Sequence, residues 1–181
     1  MGGLRWAVVL ILAIGCATPS PSGPPTAEPA RPIRAEAREG DFRLILQSSD
    51  DHYAAGAPID LATELSYIGP QPGLKLAGSG SGLVQVSLLQ LDGTLRIEAG
   101  SDDSCAAYAI RPAAPLAQRY VKSGGWSGED PNAAFYKAFF ADPVLRLPRG
   151  TWRMVADAWF YVDDCGGRAH RLQAALDVRV E

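Results

Sequence analysis

The sequence is poor in the residues from which catalytic and charge-driven sites are built. Among 181 residues there are two histidines, three cysteines and two methionines. Two histidines leave little from which to assemble a general base. His170 falls on the inward side of an alternating run, the place of a satisfied core residue. His52 lies beside Asp50 and Asp51, and a Ser-His-Asp set drawn through Ser48 or Ser49 would join neighbours in sequence, which does not make a triad. Basic excess is missing too: 17 Lys and Arg stand against 20 Asp and Glu, for a formal charge of −3. That balance excludes nucleic acid and anionic lipid as electrostatically favoured partners. The glycine-rich residues 78–82 carry Gly80 where a nucleophile elbow needs serine, and no Gly-Lys-Ser/Thr follows to make a phosphate loop. Together these absences argue against an enzyme and against a cofactor.

What is present is apolar residue in alternation. Apolar residues make up 47% of the chain, enough for a buried core. Residues 147–165, LPRGTWRMVADAWFYVDDC, open with turn chemistry in Pro148 and Gly150 and then alternate. Trp152, Met154, Ala156, Ala158 and Phe160 fall on one side; Arg153, Val155, Asp157, Trp159 and Tyr161 fall on the other. A period of two means a β-strand, and one this long needs neighbours on both sides. It resembles the central strand of an immunoglobulin-like sandwich, where a disulfide ties the sheet down.

The N-terminus reads as a targeting segment. Arg5 supplies positive charge, and residues 6–14 form an apolar run of about nine residues, too short to cross the about 30 Å of a bilayer core. Ala13-Ile14-Gly15-Cys16 resembles the lipobox of bacterial lipoproteins, with Ala13 where leucine is commonest. Cys16 is therefore the expected lipidation site, and ordinary cleavage to a soluble product is the alternative. If Cys16 is acylated, Cys105 and Cys165 remain as a pair, which suits an oxidising compartment. Their bridge would close a loop of about 60 residues, worth about 4 kcal/mol in chain entropy. Residues 16–40, rich in proline from Pro19 to Pro32, read as an extended tether.

Residues 41–181 read as one domain. Alternation predicts strands over residues 41–47, 58–68 and 83–91, a return strand through Leu95, Ile97 and Ala99 after the Asp92-Gly93 turn, and a last strand over residues 168–180. Residues 74–77 are expected as a short edge strand and residues 106–110 as another short strand. Asp130-Pro131 predicts the start of one short helix, which Asp142-Pro143 stops. The sum is an all-β, Ig-like two-sheet antiparallel sandwich of about seven to eight strands.

Ser66-Tyr67-Ile68-Gly69-Pro70, the stretch GSGSGLVQVSLLQLDG at residues 78–93, and residues 122–152 resemble a group of uncharacterised bacterial cell-envelope lipoproteins. The likeness covers nearly all of residues 41–181. More distantly, the strand layout is similar to the small sandwich family that includes a bacterial intracellular proteinase inhibitor. Neither resemblance supplies catalytic residues.

Two groups of candidate site residues follow. Asp102 and Asp103 precede Cys105, and Asp163 and Asp164 precede Cys165. A disulfide would crowd these four carboxylates at one pole, where Ca²⁺ could relieve their repulsion or where they spread as a solvated rim. Trp126, Trp159 and Tyr161 are the candidates for binding a partner, and coverage of Trp159 and Tyr161 by residues 122–140 is the plainer alternative. The function expected is that of a membrane-tethered, extracytoplasmic binding module for a protein or peptide ligand or an envelope component. A proteinase inhibitor presenting residues 112–131 and a structural spacer without ligand are the alternatives.

Overall fold

The structure is a computed structural model and describes residues 31–181. Cys16, the targeting segment and most of the proline-rich stretch lie outside the described residues. Among the described residues, eleven strands and one short helix form a two-sheet, sandwich-like all-β fold.

The first sheet holds β1 (Ile33–Glu39), β2 (Phe42–Ser48), β4 (Leu61–Tyr67) and β9 (Leu116–Arg119), in the order β1-β2-β4-β9. The first strand corrects the tether boundary at Gly40. Ile33, Ala35 and Ala37 alternate with Arg34, Glu36 and Arg38, and all seven residues pair antiparallel with β2, Glu39 facing Phe42. The connecting turn is Gly40-Asp41, with Gly40 in the left-handed region at φ +54°, which a glycine enters without steric cost. Strand β9 likewise falls inside residues 112–131, which carried no strand in the sequence reading, and its register puts Leu116 against Leu65.

The second sheet is built on β10 (Gly150–Val162), the 13-residue strand expected as its spine. One side of β10 pairs with β11 (Ala169–Val180) from Gly150↔Val180 to Tyr161↔Ala169. The other side is shared. Trp152 to Ala158 pair with β6 (Val84–Gln90), which also carries β7 (Arg96–Ile97). Tyr161 and Val162 pair with β5 (Leu74–Gly78), which carries β8 (Ala106–Ile110). Strand β5 is therefore interior, not an edge. The sheets are antiparallel except at β3 (His52–Tyr53), which runs parallel to the end of β11.

The inward residues of β10 are all buried, and they meet the inward residues of β2, β4 and β11. Phe42 of β2 sets its ring edge-on to Phe160 of β10 at 4.8 Å, and lies 4.9 Å from the His170 ring of β11. These contacts join the two sheets. The helix α1 (Ala133–Ala141) starts later than Asp130 and has Asn132 as its N-cap, without a side-chain capping bond. Asp130 instead accepts the Asn132 N–H at 2.7 Å. Tyr136 donates its hydroxyl to the Arg96 carbonyl at 2.8 Å, so α1 is pinned to β7. At its other end Lys122 Nζ donates to the carbonyls of Phe139 and Asp142 at 2.6 and 2.7 Å, a cation placed against the negative pole of the helix.

Candidate functional site

Because successive side chains of a strand point to opposite faces, burying Ala158 and Phe160 turns Asp157, Trp159 and Tyr161 outward. The helix and its lead-in segment do not cover them, against the plainer expectation for residues 122–140. Trp159 is 60% exposed. The Trp159 and Tyr161 rings lie side by side, centroids 6.1 Å apart and planes tilted by 47°. Across the sheet, Arg171 stands opposite Trp159 and Gln85 stands opposite Asp157. Arg171 grips the Asp157 carboxylate, Nη2 to Oδ2 at 2.7 Å, and Gln173 adds a bond to the same oxygen at 3.2 Å. This hydrogen bond, with the neighbouring charge, raises the Arg171 pKa above its ordinary value.

Two loops wall this face. Residues 78–82 fold against residues 101–105 through Asp102. The Gly80 and Ser104 backbone N–H groups donate to Asp102 Oδ1 at 2.9 and 3.0 Å, and the Ser104 hydroxyl donates to the same oxygen. The Asp102 N–H in turn donates to the Ser79 and Ser81 hydroxyls, each at 3.2 Å. The Ser104 hydroxyl first, and then the Gly80 and Ser104 amides, hold the Asp102 carboxyl below its ordinary pKa against the opposing pull of desolvation. Behind the clasp Cys105 and Cys165 are bridged, with Cα atoms 6.1 Å apart, as their parity suggested. Loops, bridge and outer sheet face enclose a cleft of ≈ 740 Å³ lined by Ser79, Gln85, Asp102, Asp103, Asp157, Trp159, Tyr161 and Arg171 among others.

The structure thus gathers Trp159, Tyr161, Asp102, Asp103 and both paired cysteines at one place. It does not bring the others there. Asp163 sits in the β10–β11 turn at φ +73°, and Asp164 accepts the Gly166 N–H at 2.9 Å. Neither lines the cleft, and among the described residues no three His, Cys, Asp or Glu side chains form a group able to hold a metal ion. Trp126 is 41% exposed and is not among the cleft residues. Ser48 and Ser49 turn their hydroxyls to Tyr53, at 2.6 and 3.1 Å, while His52 Nδ1 lies 2.9 Å from Asp51. The residues that sequence reasoning missed are Gln85, Asp157 and Arg171. The outward positions of β10 and the last strand were legible for two of them, but the register that places them beside Trp159 was not.

Comparison with family models, with curated proteins and with solved structures returned no match.

Proposed function

We propose that this protein is a non-catalytic binding module of the bacterial cell envelope, held at a membrane by a lipid on Cys16. The observation that carries the reading is the exposed Trp159 beside the half-buried Tyr161 on the floor of a cleft with polar walls. Concave sites that join aromatic surface to a few convergent polar groups are the usual form of ligand pockets. The short apolar run, the lipobox-like Ala13-Ile14-Gly15-Cys16 and the likeness to envelope lipoproteins support the location. So does the Cys105–Cys165 bridge, which suits an oxidising compartment. The proline-rich residues that follow Cys16 would stand the sandwich away from the lipid surface.

Full-length protein made in a bacterial host should incorporate a labelled fatty acid and sediment with membranes, and Cys16→Ser should abolish the labelling. Purified protein should co-sediment saturably with isolated envelope fragments, and Trp159→Ala should remove that association. Co-sedimentation that never saturates, or that Trp159→Ala leaves intact, would overturn the reading in favour of a spacer without ligand.

A further inference from the structure

We infer that the Trp159–Tyr161 cleft takes a neutral, β-linked saccharide chain; the inference rests on the binding-module reading above and names its ligand class. Three observations select this chemistry. The first is the floor. Trp159 and Tyr161 are two positions apart on one strand and share its outer face, so their rings form two successive platforms tilted by 47°. Sugar rings with equatorial hydroxyls carry flat C–H faces that cover such platforms, and a linear chain offers them in succession. The aromatic faces are the apolar part of the contact.

The second is the polar fringe. Sugars present hydroxyls in a ring around the stacked face, and these need planar acceptors and donors at the edge of the aromatics. The Asp157 carboxylate, fixed by Arg171, and the Gln85 amide opposite it stand on the same sheet face. The Gln85 side chain and the Trp159 indole N–H have no hydrogen-bond partner among the described residues, so both are open to a ligand. Charge restricts the ligand further. Asp102, Asp103 and Asp157 line the cleft against Arg171 alone, and Arg171 is already engaged at 2.7 Å. An anionic chain would meet repulsion, with no free cation to receive it among the described residues of the lining.

The third is the backbone. Strand β10 is paired on one side with β11 through Tyr161 and on the other with β6 through Ala158. The Trp159 N–H itself donates to the Leu83 carbonyl at 3.1 Å. With neighbours on both sides, β10 is not an edge strand, so it offers no free edge to which a peptide could add as a further strand. A saccharide needs side chains alone.

The test is calorimetric titration of the full chain in detergent with soluble chito- and cello-oligosaccharides, beside oligogalacturonate as an anionic control. Saturable binding of the neutral oligosaccharides is expected. Trp159→Ala should weaken it by about tenfold or more, Trp159→Phe should recover part of the loss, and Trp126→Ala should leave it unchanged. Trp159 is 60% exposed, so its replacement should leave the near-ultraviolet circular dichroism of the buried aromatics in place. Equal or tighter binding of oligogalacturonate overturns the inference. So does silence toward every oligosaccharide while envelope co-sedimentation still depends on Trp159, an outcome that keeps the binding module and removes only the sugar. If co-sedimentation is also independent of Trp159, both readings fall.

Discussion

Glu39 reaches out of the first sheet to His170 in the second, its Oε1 3.1 Å from His170 Nδ1, while its Oε2 accepts the Arg171 backbone N–H at 2.8 Å. His170 is 7% exposed and stacks on Phe160, so Glu39 supplies the polar partner for a ring that the core surrounds. Glu39→Ala should cost about 1–3 kcal/mol, because it leaves the buried His170 ring nitrogen without its partner rather than merely deleting a contact. Glu39→Gln keeps an acceptor and should recover part of that loss. Urea unfolding of the two variants checks both.

Glu39 also ends a strand, β1, that the sequence pattern conceals. Proline-rich composition points to a tether running to Gly40, and in β1 the small Ala35 and Ala37 make a faint alternation beside it. The Gly40-Asp41 turn is the one strong local signal of the hairpin. A chain beginning at Asp41 would lose all of β1, the packing of Ile33, Ala35 and Ala37, and the Glu39 bonds. The expected loss is on the order of 3 kcal/mol or more. A truncated chain as resistant to urea as the full one would return β1 to the status of linker.

Thr63 lies on the inward face of β4, 3% exposed, and its hydroxyl has no hydrogen-bond partner among the described residues. A buried hydroxyl without a partner keeps its desolvation cost and gains nothing in return. Valine has nearly the same shape without the hydroxyl. Thr63→Val should therefore stabilise the protein by roughly 1 kcal/mol, seen as a higher urea midpoint at unchanged slope.

The spine of the second sheet was legible because period-two alternation survives in Trp152 to Phe160, where every inward residue is large or tightly packed. That α1 leaves Trp159 uncovered is not legible in the sequence. Where α1 lies depends on Tyr136 finding the backbone of Arg96 and on Lys122 finding the helix end. Each rests on one side chain meeting the backbone of a segment distant in the chain. The pairing of Asp157 with Arg171 is hidden in the same way, since it follows from the register of β10 on β11 and not from either strand's pattern.

Cys105 and Cys165 are 60 positions apart. A crosslink over that separation removes about 4 kcal/mol of chain entropy from the unfolded state. The double replacement Cys105→Ser with Cys165→Ser should lower the unfolding free energy by an amount of that order. Since both cysteines line the cleft, it should also weaken any ligand bound there. Equal unfolding midpoints with and without reductant would show that the bridge contributes little to the native state.

Asp102 makes the cleft wall sensitive to acid. Its carboxylate accepts the Gly80 and Ser104 amides and the Ser104 hydroxyl, and these bonds hold its folded pKa below the ordinary aspartate range of about 4. The sign follows from linkage. A depressed folded pKa contributes stability that is fully present above the unfolded value and disappears as pH falls through the folded one. The clasp should thus be intact near neutrality and loosen only below about pH 4, freeing residues 78–82 from residues 101–105. The amide resonances of Gly80 and Ser104 should titrate together at that lower pH. In Asp102→Asn the carboxylate is gone, so neither amide should titrate there, and the Ser79 wall should be looser at every pH. Amides that titrate in the ordinary range in the native chain would mean that the clasp does not hold in solution.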